Sequence, residues 1–229
     1  MADTPEDLLP DATRRLIRTT DALDDGAYAE ASSLPGWTRA HVLAHLALNA
    51  EGLAGVLTGI VNGEHATMYS SDEARDFDIA ALAGEEPAEI RARLMAACTE
   101  LADAIAAMPP DAWAGDVERT PGGRRFPTAL VPTMRLREVE IHHADLGVGY
   151  SHADWSPAFC AALIESATAR PDGPAFVAVA ADADGRWERG TGGPTVTGSL
   201  SDLGWWLTGR GAGAGLTSDD GVVPTIGAL

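Results

Sequence analysis

The first 150 residues contain four long segments in which apolar side chains recur at the three- and four-residue spacing of an α-helix. The segments read "TPEDLLPDATRRLIRTTDAL", "SSLPGWTRAHVLAHLALNAEGLAGVLTGI", "PAEIRARLMAACTELADAIAAM" and "PTALVPTMRLREVEIHHADLGVG". Thr38 is a suitable N-cap for the second, Pro109 and Pro110 stop the third, and the fourth ends at Gly147. Four helices of this length predict a four-helix bundle.

The remaining segments are shorter and more varied. Residues 62–85 and 109–126 are long connections rich in polar residues or in Pro, Gly and Arg, and such loops are often functional. Beyond residue 150, "PAFVAVAADADGRWERG" predicts a strand, a turn and a second strand, and "PTVTGSLSDLGWWLTGRG" predicts a strand and a helix capped by Ser199 or Ser201. We therefore predict an α+β protein with a helical domain at residues 1–152 and a small α/β domain at residues 153–229.

The composition restricts the partners of such a protein. With 34 acidic and 16 basic residues the net charge is −18, which argues against binding to nucleic acid or to an anionic membrane. The sequence shows neither a signal peptide nor a long membrane-spanning run, so a cytoplasmic location is expected. Cys98 and Cys160 lie in no C-x-x-C motif and are expected to be free thiols. Nothing in the sequence demands an oligomer, and we expect a monomer.

The fourth helical segment carries two glutamates and two histidines within six residues, in "MRLREVEIHHADLG" (134–147). Successive helical residues advance by about 100°, which places Glu138 and His142 one turn apart on one stripe. Apolar residues flank this stripe on both sides, so we expect it to face inward. Glu140 is predicted to face solvent, and His143 lies off the stripe. The helix alone leaves two interpretations open, a metal site and a buried Glu–His ion pair.

The second helical segment offers a further ligand in "HVLAHL". His45 lies at the centre of its apolar stripe, and His41, one turn earlier, stays an alternative. Facing helices of a bundle commonly share metal sites. Two histidines and one glutamate suit Zn²⁺ and leave a position open, which indicates catalysis more than a structural role. The H-E-x-x-H motif is absent, so a metallopeptidase is not supported.

Four segments carry a family resemblance: "LPGWTRAHVLAHLALNAEGL", "MYSSDEARDFDI", "MRLREVEIHHADLG" and "GSLSDLGWWLTGRG". In this order they resemble the motifs of mycothiol-dependent maleylpyruvate isomerases, which belong to the DinB-like mycothiol-dependent enzymes, along nearly the whole chain. The resemblance implies a DinB-like four-helix bundle followed by a small C-terminal α/β domain. It also implies zinc ligands at His45, Glu138 and His142, and catalytic and cofactor-binding arginines at Arg75 and Arg210. The C-terminal "VVPTIGAL" departs from the family, with less proline and no aromatic residue.

The activity implied by this resemblance is the mycothiol-dependent conversion of maleylpyruvate to fumarylpyruvate in gentisate-type aromatic degradation. A zinc-bound thiolate would add to the cis double bond, the resulting single bond would rotate, and elimination would give the trans product. Arg75 and Arg210 would bind carboxylate and enolate oxygens. The expected partners are thus a small-molecule substrate and the thiol cofactor.

Three alternatives to this activity are compatible with the sequence. One is another zinc- and mycothiol-dependent S-transferase of the same family, which would share the metal and the thiol but use a different acceptor. Another is a redox-sensing zinc regulator, although Cys98 and Cys160 lie far from any histidine in the sequence. The third is a helical bundle that binds no metal.

Overall fold

A computed structural model describes residues 4–227, apart from the side chains of residues 5 and 6. The chain divides into two compact units, one spanning Pro5–Gly149 and the other beginning its main segment at Tyr150. Each unit has its own secondary structure and is described by itself. The predicted division into domains at residues 1–152 and 153–229 stays a prediction.

The first unit is helical. Its described residues form α1 (Pro5–Ala22), α2 (Arg39–Asn62), α3 (Asp72–Ala83), α4 (Pro87–Ala107), β1 (Asp116–Glu118), β2 (Arg125–Pro127) and α5 (Val131–Asp145). The helices α1, α2, α4 and α5 are the four predicted from sequence, and they confirm the bundle. Both predicted loops need correction, because one contains α3 and the other contains the antiparallel ribbon of β1 and β2.

Helix α2 lies at the centre of this unit and packs against α3, α4 and α5. It begins where the Thr38 hydroxyl accepts a hydrogen bond from the backbone N–H of His41, and it ends at Gly63, whose φ of 72° is left-handed. Its buried leucines each contribute about 1.5–3 kcal/mol of apolar burial. Four of them have no exposed surface: Leu43, Leu46, Leu53 and Leu57.

The sequence-based expectation that no segment could span a membrane also needs correction. By length and composition alone, α2 (Arg39–Asn62) is apolar enough to cross a bilayer. However, 72% of its most apolar window is buried inside the structure. A helix that is apolar nearly all round is typical of a protein core when neighbouring helices cover it, as they do here.

The second unit combines two helices with a mixed sheet. Its described residues form α6 (Pro157–Thr168), β3 (Phe176–Ala180), β4 (Arg186–Arg189), β5 (Thr195–Gly198), α7 (Leu200–Leu207) and β6 (Thr217–Ser218). The strand order is β4-β3-β5-β6, with β3 and β5 parallel and the other two pairs antiparallel. The predicted strand–turn–strand and strand–helix segments are confirmed, as is the α+β class, whereas α6 was not predicted.

Helix α7 is anchored at its start and along one face. Of the two candidate caps, Ser199 is the one used: its hydroxyl accepts a hydrogen bond from the backbone N–H of Asp202. On the buried face, the rings of Trp206 and Phe176 meet edge to face, with centroids 4.8 Å apart. This packing fixes α7 against the sheet and thereby determines where the segment that follows it leaves the helix.

Candidate metal centre

Three side chains predicted from sequence as metal ligands come together in the helical unit. One ligand atom from each of His45, Glu138 and His142 lies within 4.8 Å of the others. Oε2 of Glu138 is 2.8 Å from Nε2 of His45 and 3.4 Å from Nε2 of His142. The two imidazole rings stand at 86° to each other with centroids 4.7 Å apart. Helices α2 and α5 thus direct two nitrogens and one oxygen to a common point.

A buried carboxylate orients His142 within this cluster. Nδ1 of His142 is 2.9 Å from Oδ2 of Asp145. Asp145 is fully buried, and its Oδ1 accepts a hydrogen bond from the Ser33 hydroxyl at 3.1 Å. Because Nδ1 donates to this carboxylate, Nε2 faces Glu138, to which it donates when the ring is charged. In the neutral ring with the proton on Nδ1, the lone pair of Nε2 is available to a cation. A carboxylate on the far nitrogen of a histidine is the usual support of a metal-binding imidazole.

His45 has a different neighbour on its far nitrogen. Nη2 of Arg75 lies 3.2 Å from Nδ1 of His45. A guanidinium can only donate, so Nδ1 accepts, and the ring proton on Nε2 is donated to Glu138. The result is a chain of hydrogen bonds from Arg75 through His45 to Glu138. Arg75, the last residue of the "EAR" motif in α3, is therefore in direct contact with the cluster. Its catalytic and cofactor-binding role stays a prediction.

The three cluster residues differ in how the site shifts their protonation. Burial lowers the pKa of His45, and the hydrogen bond to Glu138 offsets this only in part. Burial also acts against a charged His142, but the hydrogen bonds to Asp145 and Glu138 outweigh it and raise the pKa of His142. For Glu138 burial would raise the pKa, yet the hydrogen bonds from both histidines hold it well below its usual value. Glu138 is therefore a carboxylate, which is the form that binds a cation.

Two predictions for the neighbours of Glu138 on α5 are wrong or incomplete. Glu140 was expected to face solvent, but it is 2% exposed, and its Oε1 accepts a hydrogen bond from Nη2 of Arg15 at 2.7 Å. His143 is 1% exposed, and its Nε2 is 2.8 Å from the Thr19 hydroxyl. Both partners belong to α1. This helix covers the face of α5 that the helical periodicity had assigned to solvent.

His41, the sequence alternative to His45, has a separate role. Its Nδ1 is 2.7 Å from the Thr38 hydroxyl, within the capping box that starts α2. Outside the cluster, His65 is 73% exposed and hydrogen bonded to Glu118. Of the histidines of α2, only His45 reaches Glu138.

Tyr69 is a neighbour of the cluster that was not singled out from the sequence. Two guanidinium groups lie near its ring: Cζ of Arg75 is 5.8 Å and Cζ of Arg119 is 5.4 Å from the ring centre. Burial raises the pKa of Tyr69, and the arginine charge and hydrogen bonding with Arg75 and Asn49 lower it only in part. The phenol therefore stays protonated and is a hydrogen-bond donor. Its position in "MYSSDEAR", six residues before Arg75, was the signal that could have identified it.

A cavity of about 370 Å³ extends beside Arg75 and Tyr69 within the helical unit. Its lining includes Arg93, which is bound to Glu51 by two hydrogen bonds of 2.6 and 2.8 Å. Nε of Arg75 is buried and has no hydrogen-bond partner among the described residues. An unused donor beside a cavity of this size indicates a place for an acceptor that enters from outside the chain.

Arg210, the other predicted arginine, belongs to the second unit. Its guanidinium lies 5.7 Å from the ring centre of Trp205, and Nη1 donates to the carbonyl of Thr208 at 3.1 Å. Together with residues 223–226 it lines a cavity of about 170 Å³. The C-terminal segment is therefore packed beside Arg210 in spite of its unusual composition, and the indole of Trp206 donates to the carbonyl of Pro224 at 2.8 Å.

Both distances from Glu138 to a histidine nitrogen are close to those expected around a small divalent cation. Ligands about 2.0–2.1 Å from a tetrahedral zinc ion lie roughly 3.3 Å apart. The distance from Glu138 to His142 already matches this value, and that from Glu138 to His45 would widen by about 0.5 Å. Two imidazoles and one carboxylate are also a donor set that zinc accepts, with a fourth position left for another ligand.

Comparison with known proteins places this arrangement in a family. The model of the mycothiol maleylpyruvate isomerase N-terminal domain matches residues 9–147, more than half of the chain. A crystal structure of a mycothiol-dependent maleylpyruvate isomerase is 30% identical, with a TM-score of 0.87, and covers 98% of this chain and 95% of its own. A histidine-to-alanine mutant of such an isomerase gives the same identity and coverage, with a TM-score of 0.86. Among curated proteins, none matches the chain. The chain belongs to the mycothiol maleylpyruvate isomerase family.

Proposed function

We propose that this chain is a cytoplasmic, mycothiol-dependent isomerase that converts maleylpyruvate to fumarylpyruvate. The observation that carries the proposal is the convergence of His45, Glu138 and His142 in a chain of this family. The reaction is taken from the isomerases with which the chain shares its fold and 30% of its residues. We propose zinc as the cation, because two imidazoles and a carboxylate are borderline ligands that suit it.

The cluster residues would hold the cation and keep one position open. Zinc bound there supplies the thiolate form of mycothiol as the nucleophile for the cis double bond. Asp145 supports this role by fixing the ring of His142 through Nδ1, with the hydrogen bond of 2.9 Å described above. Glu138 contributes the negative charge that attracts the cation, and its low pKa keeps that charge available.

Arg75 is proposed to change partners when the site is filled. His45 can present the lone pair of Nε2 to a cation only when its ring proton lies on Nδ1. Arg75 then loses its acceptor on that nitrogen, since two donors would face each other across 3.2 Å. Nη1 of Arg75 is paired with Asp76 at 2.7 Å, whereas Nη2 and the unused Nε are thereby available to a carboxylate of the dianionic substrate.

The developing charge requires donors in addition to the cation. Addition of a thiolate to maleylpyruvate builds enolate charge, which preorganised donors stabilise. We assign this role to Arg75, with Arg210 binding substrate or cofactor oxygens as the family motif implies. The protonated Tyr69 hydroxyl is a further donor on the same side of the cluster as Arg75. Because the net charge is −18, local arginines are needed to hold an anionic substrate.

An absorbance assay with maleylpyruvate tests this function. Zinc-loaded protein is compared with and without mycothiol, and we expect turnover only with the thiol. The Glu138→Ala/His142→Ala double variant should lose bound zinc by elemental analysis and lose turnover. His65→Ala, which removes an exposed histidine outside the cluster, should keep both.

Two results would contradict parts of the proposal. Full zinc content in a folded double variant would refute the ligand assignment. Formation of a stable mycothiol adduct with other acceptors, without isomerisation of maleylpyruvate, would favour a zinc- and mycothiol-dependent S-transferase instead.

A further inference from the structure

An apolar pocket of the helical unit is separate from the candidate metal centre. It lies between α1, α4 and α5 and has a volume of about 550 Å³, within the range of about 300–1,000 Å³ found for small-molecule sites. Its apolar lining includes Leu9, Ile17, Leu101 and Ile105. None of its lining residues belongs to the cluster of His45, Glu138 and His142.

A buried arginine forms part of this pocket. Arg135 is 1% exposed, and its Nη1 donates to the carbonyl of Leu46 and to Oδ1 of Asn49, each at 2.8 Å. Its Nη2 lies 3.4 Å from Sγ of Cys98. Among the described residues, every hydrogen-bond partner of Arg135 is therefore an amide, a carbonyl or a thiol. A buried guanidinium normally faces a carboxylate, because an uncompensated charge inside a protein is costly.

The other charged residues of the lining are also cationic. Arg14 and Arg18 lie on the exposed side of α1 and line the same pocket. Arg14 is paired with Asp11, whereas Arg18 has no hydrogen bond or ion pair with another described residue. The described lining contains three arginines and no acidic residue, in a chain with 34 acids and 16 bases. This local reversal of charge makes the pocket complementary to an anion.

We propose that this pocket is a binding site for a small amphipathic carboxylate, such as a medium-chain fatty acid. The apolar body would lie against Leu9, Ile17 and Leu101, and the carboxylate would face Arg18 and the buried Arg135. This site is independent of the metal centre and of the proposed isomerisation. The ligand would supply the negative charge that Arg135 lacks among its own partners, through charge-assisted hydrogen bonds.

Calorimetric titration with decanoate, below its micelle concentration, tests the proposal against decanol as the uncharged control. Burial of the alkyl chain of the ligand alone favours decanol. Tighter binding of decanoate therefore isolates the contribution of the carboxylate. We expect one decanoate per chain and an affinity about tenfold higher than that of decanol. Equal or tighter binding of decanol would overturn the assignment.

Two pairs of variants locate the binding. Ala102→Phe fills the pocket from an exposed position of α4 and should abolish binding, whereas Ala92→Phe, on the same helix but outside the lining, should not. Arg18→Gln should weaken decanoate binding by roughly 2- to 5-fold, as expected for an exposed charge. Arg170→Gln changes the net charge equally in the other unit and should leave the affinity unchanged. Binding that responds to neither Ala102→Phe nor Arg18→Gln would overturn the proposal.

Alkylation of Cys98 provides a second readout. Cys98 lines the pocket and is partly exposed, while Cys160 is 1% exposed and serves as the internal control. Decanoate should protect Cys98 from alkylation by the neutral reagent iodoacetamide. Mass spectrometry measures the extent of alkylation at each cysteine. Cys98 could instead be protected by self-association, which light scattering would detect as a dimer. If decanoate does not dissociate that dimer, this face belongs to a second copy of the protein, and the ligand site is refuted.

Discussion

Replacing Asp145 by asparagine removes a buried negative charge behind the metal centre while it preserves the size of the side chain. Oδ2 of Asp145 is 2.9 Å from Nδ1 of His142, and Oδ1 accepts from the Ser33 hydroxyl at 3.1 Å. The asparagine carbonyl can still accept from His142, so the ring keeps its orientation. The variant therefore isolates the charge of the supporting carboxylate from its positioning role.

The size of the effect follows from these contacts. A hydrogen bond to an ionised group contributes about 1.5–3 kcal/mol and one between neutral groups about 0.5–1.5 kcal/mol. The difference, roughly 1–1.5 kcal/mol, corresponds to about a 5- to 12-fold weaker metal Kd for Asp145→Asn. Asp145→Ala also releases the ring of His142, and we expect a loss of about 10- to 100-fold.

Competition with a chromophoric chelator measures the metal Kd of each folded variant. Glu140→Gln is the matched control, since Glu140 is a buried carboxylate of the same helix that pairs with Arg15 and does not touch the cluster. It should bind the metal as the unmodified chain does. If Asp145→Asn and Asp145→Ala both keep an unchanged Kd while circular dichroism shows a native fold, the support of His142 by Asp145 is refuted.

Three further predictions concern other parts of the helical unit. Arg75→Gln should retain zinc by elemental analysis but lower kcat/KM about 100-fold, as for removal of an oxyanion donor; loss of the metal itself would contradict this role. In the metal-free protein the raised pKa of His142 stabilises the fold fully below the unfolded value of 6.5, and this contribution disappears as the pH rises through the folded pKa. The difference in unfolding free energy between the unmodified chain and His142→Gln should thus shrink as the pH rises above 6.5 and passes the folded pKa, and a constant difference in urea titrations would refute it. A Cβ on Gly52 would lie 2.8 Å from the carbonyl oxygen of Met68, so Gly52→Ala should destabilise the fold by about 1–3 kcal/mol. Gly55 has open space around it, so Gly55→Ala should instead stabilise α2 by about 0.5–1 kcal/mol.

Much of the helical unit could be predicted because its helices carry their own start and stop signals. Thr38 caps α2, and Pro109 follows the end of α4, as expected from local chemistry. Periodicity also picked out Glu138 and His142 as an inward pair and placed His45 on the apolar stripe of another helix, but it left His41 as an alternative to His45. The local pattern could therefore indicate that α2 and α5 face each other at these residues.

The incorrect predictions for Glu140 and α3 have a common physical cause. The periodicity of a helix does not show how many other helices pack against it. Glu140 was assigned to solvent because charged residues usually are exposed, but α1 covers it and Arg15 neutralises it. Likewise α3 was read as a loop, since only Ile79 and Leu82 of its residues are buried. Contacts such as the one between Arg75 and His45 depend on where this short helix packs, and residue spacing carries no information about that.

The division of the chain after Gly149 has a consequence for how such proteins can diversify. Every member of the metal cluster, together with Arg75, is encoded in one uninterrupted stretch of sequence, and Arg210 lies in the other. Recombination near this boundary would transfer the three proposed cation ligands and Arg75 together and exchange only the segment that carries Arg210. New reactions could then arise by gene fusion, with the ancestral helices inherited unchanged.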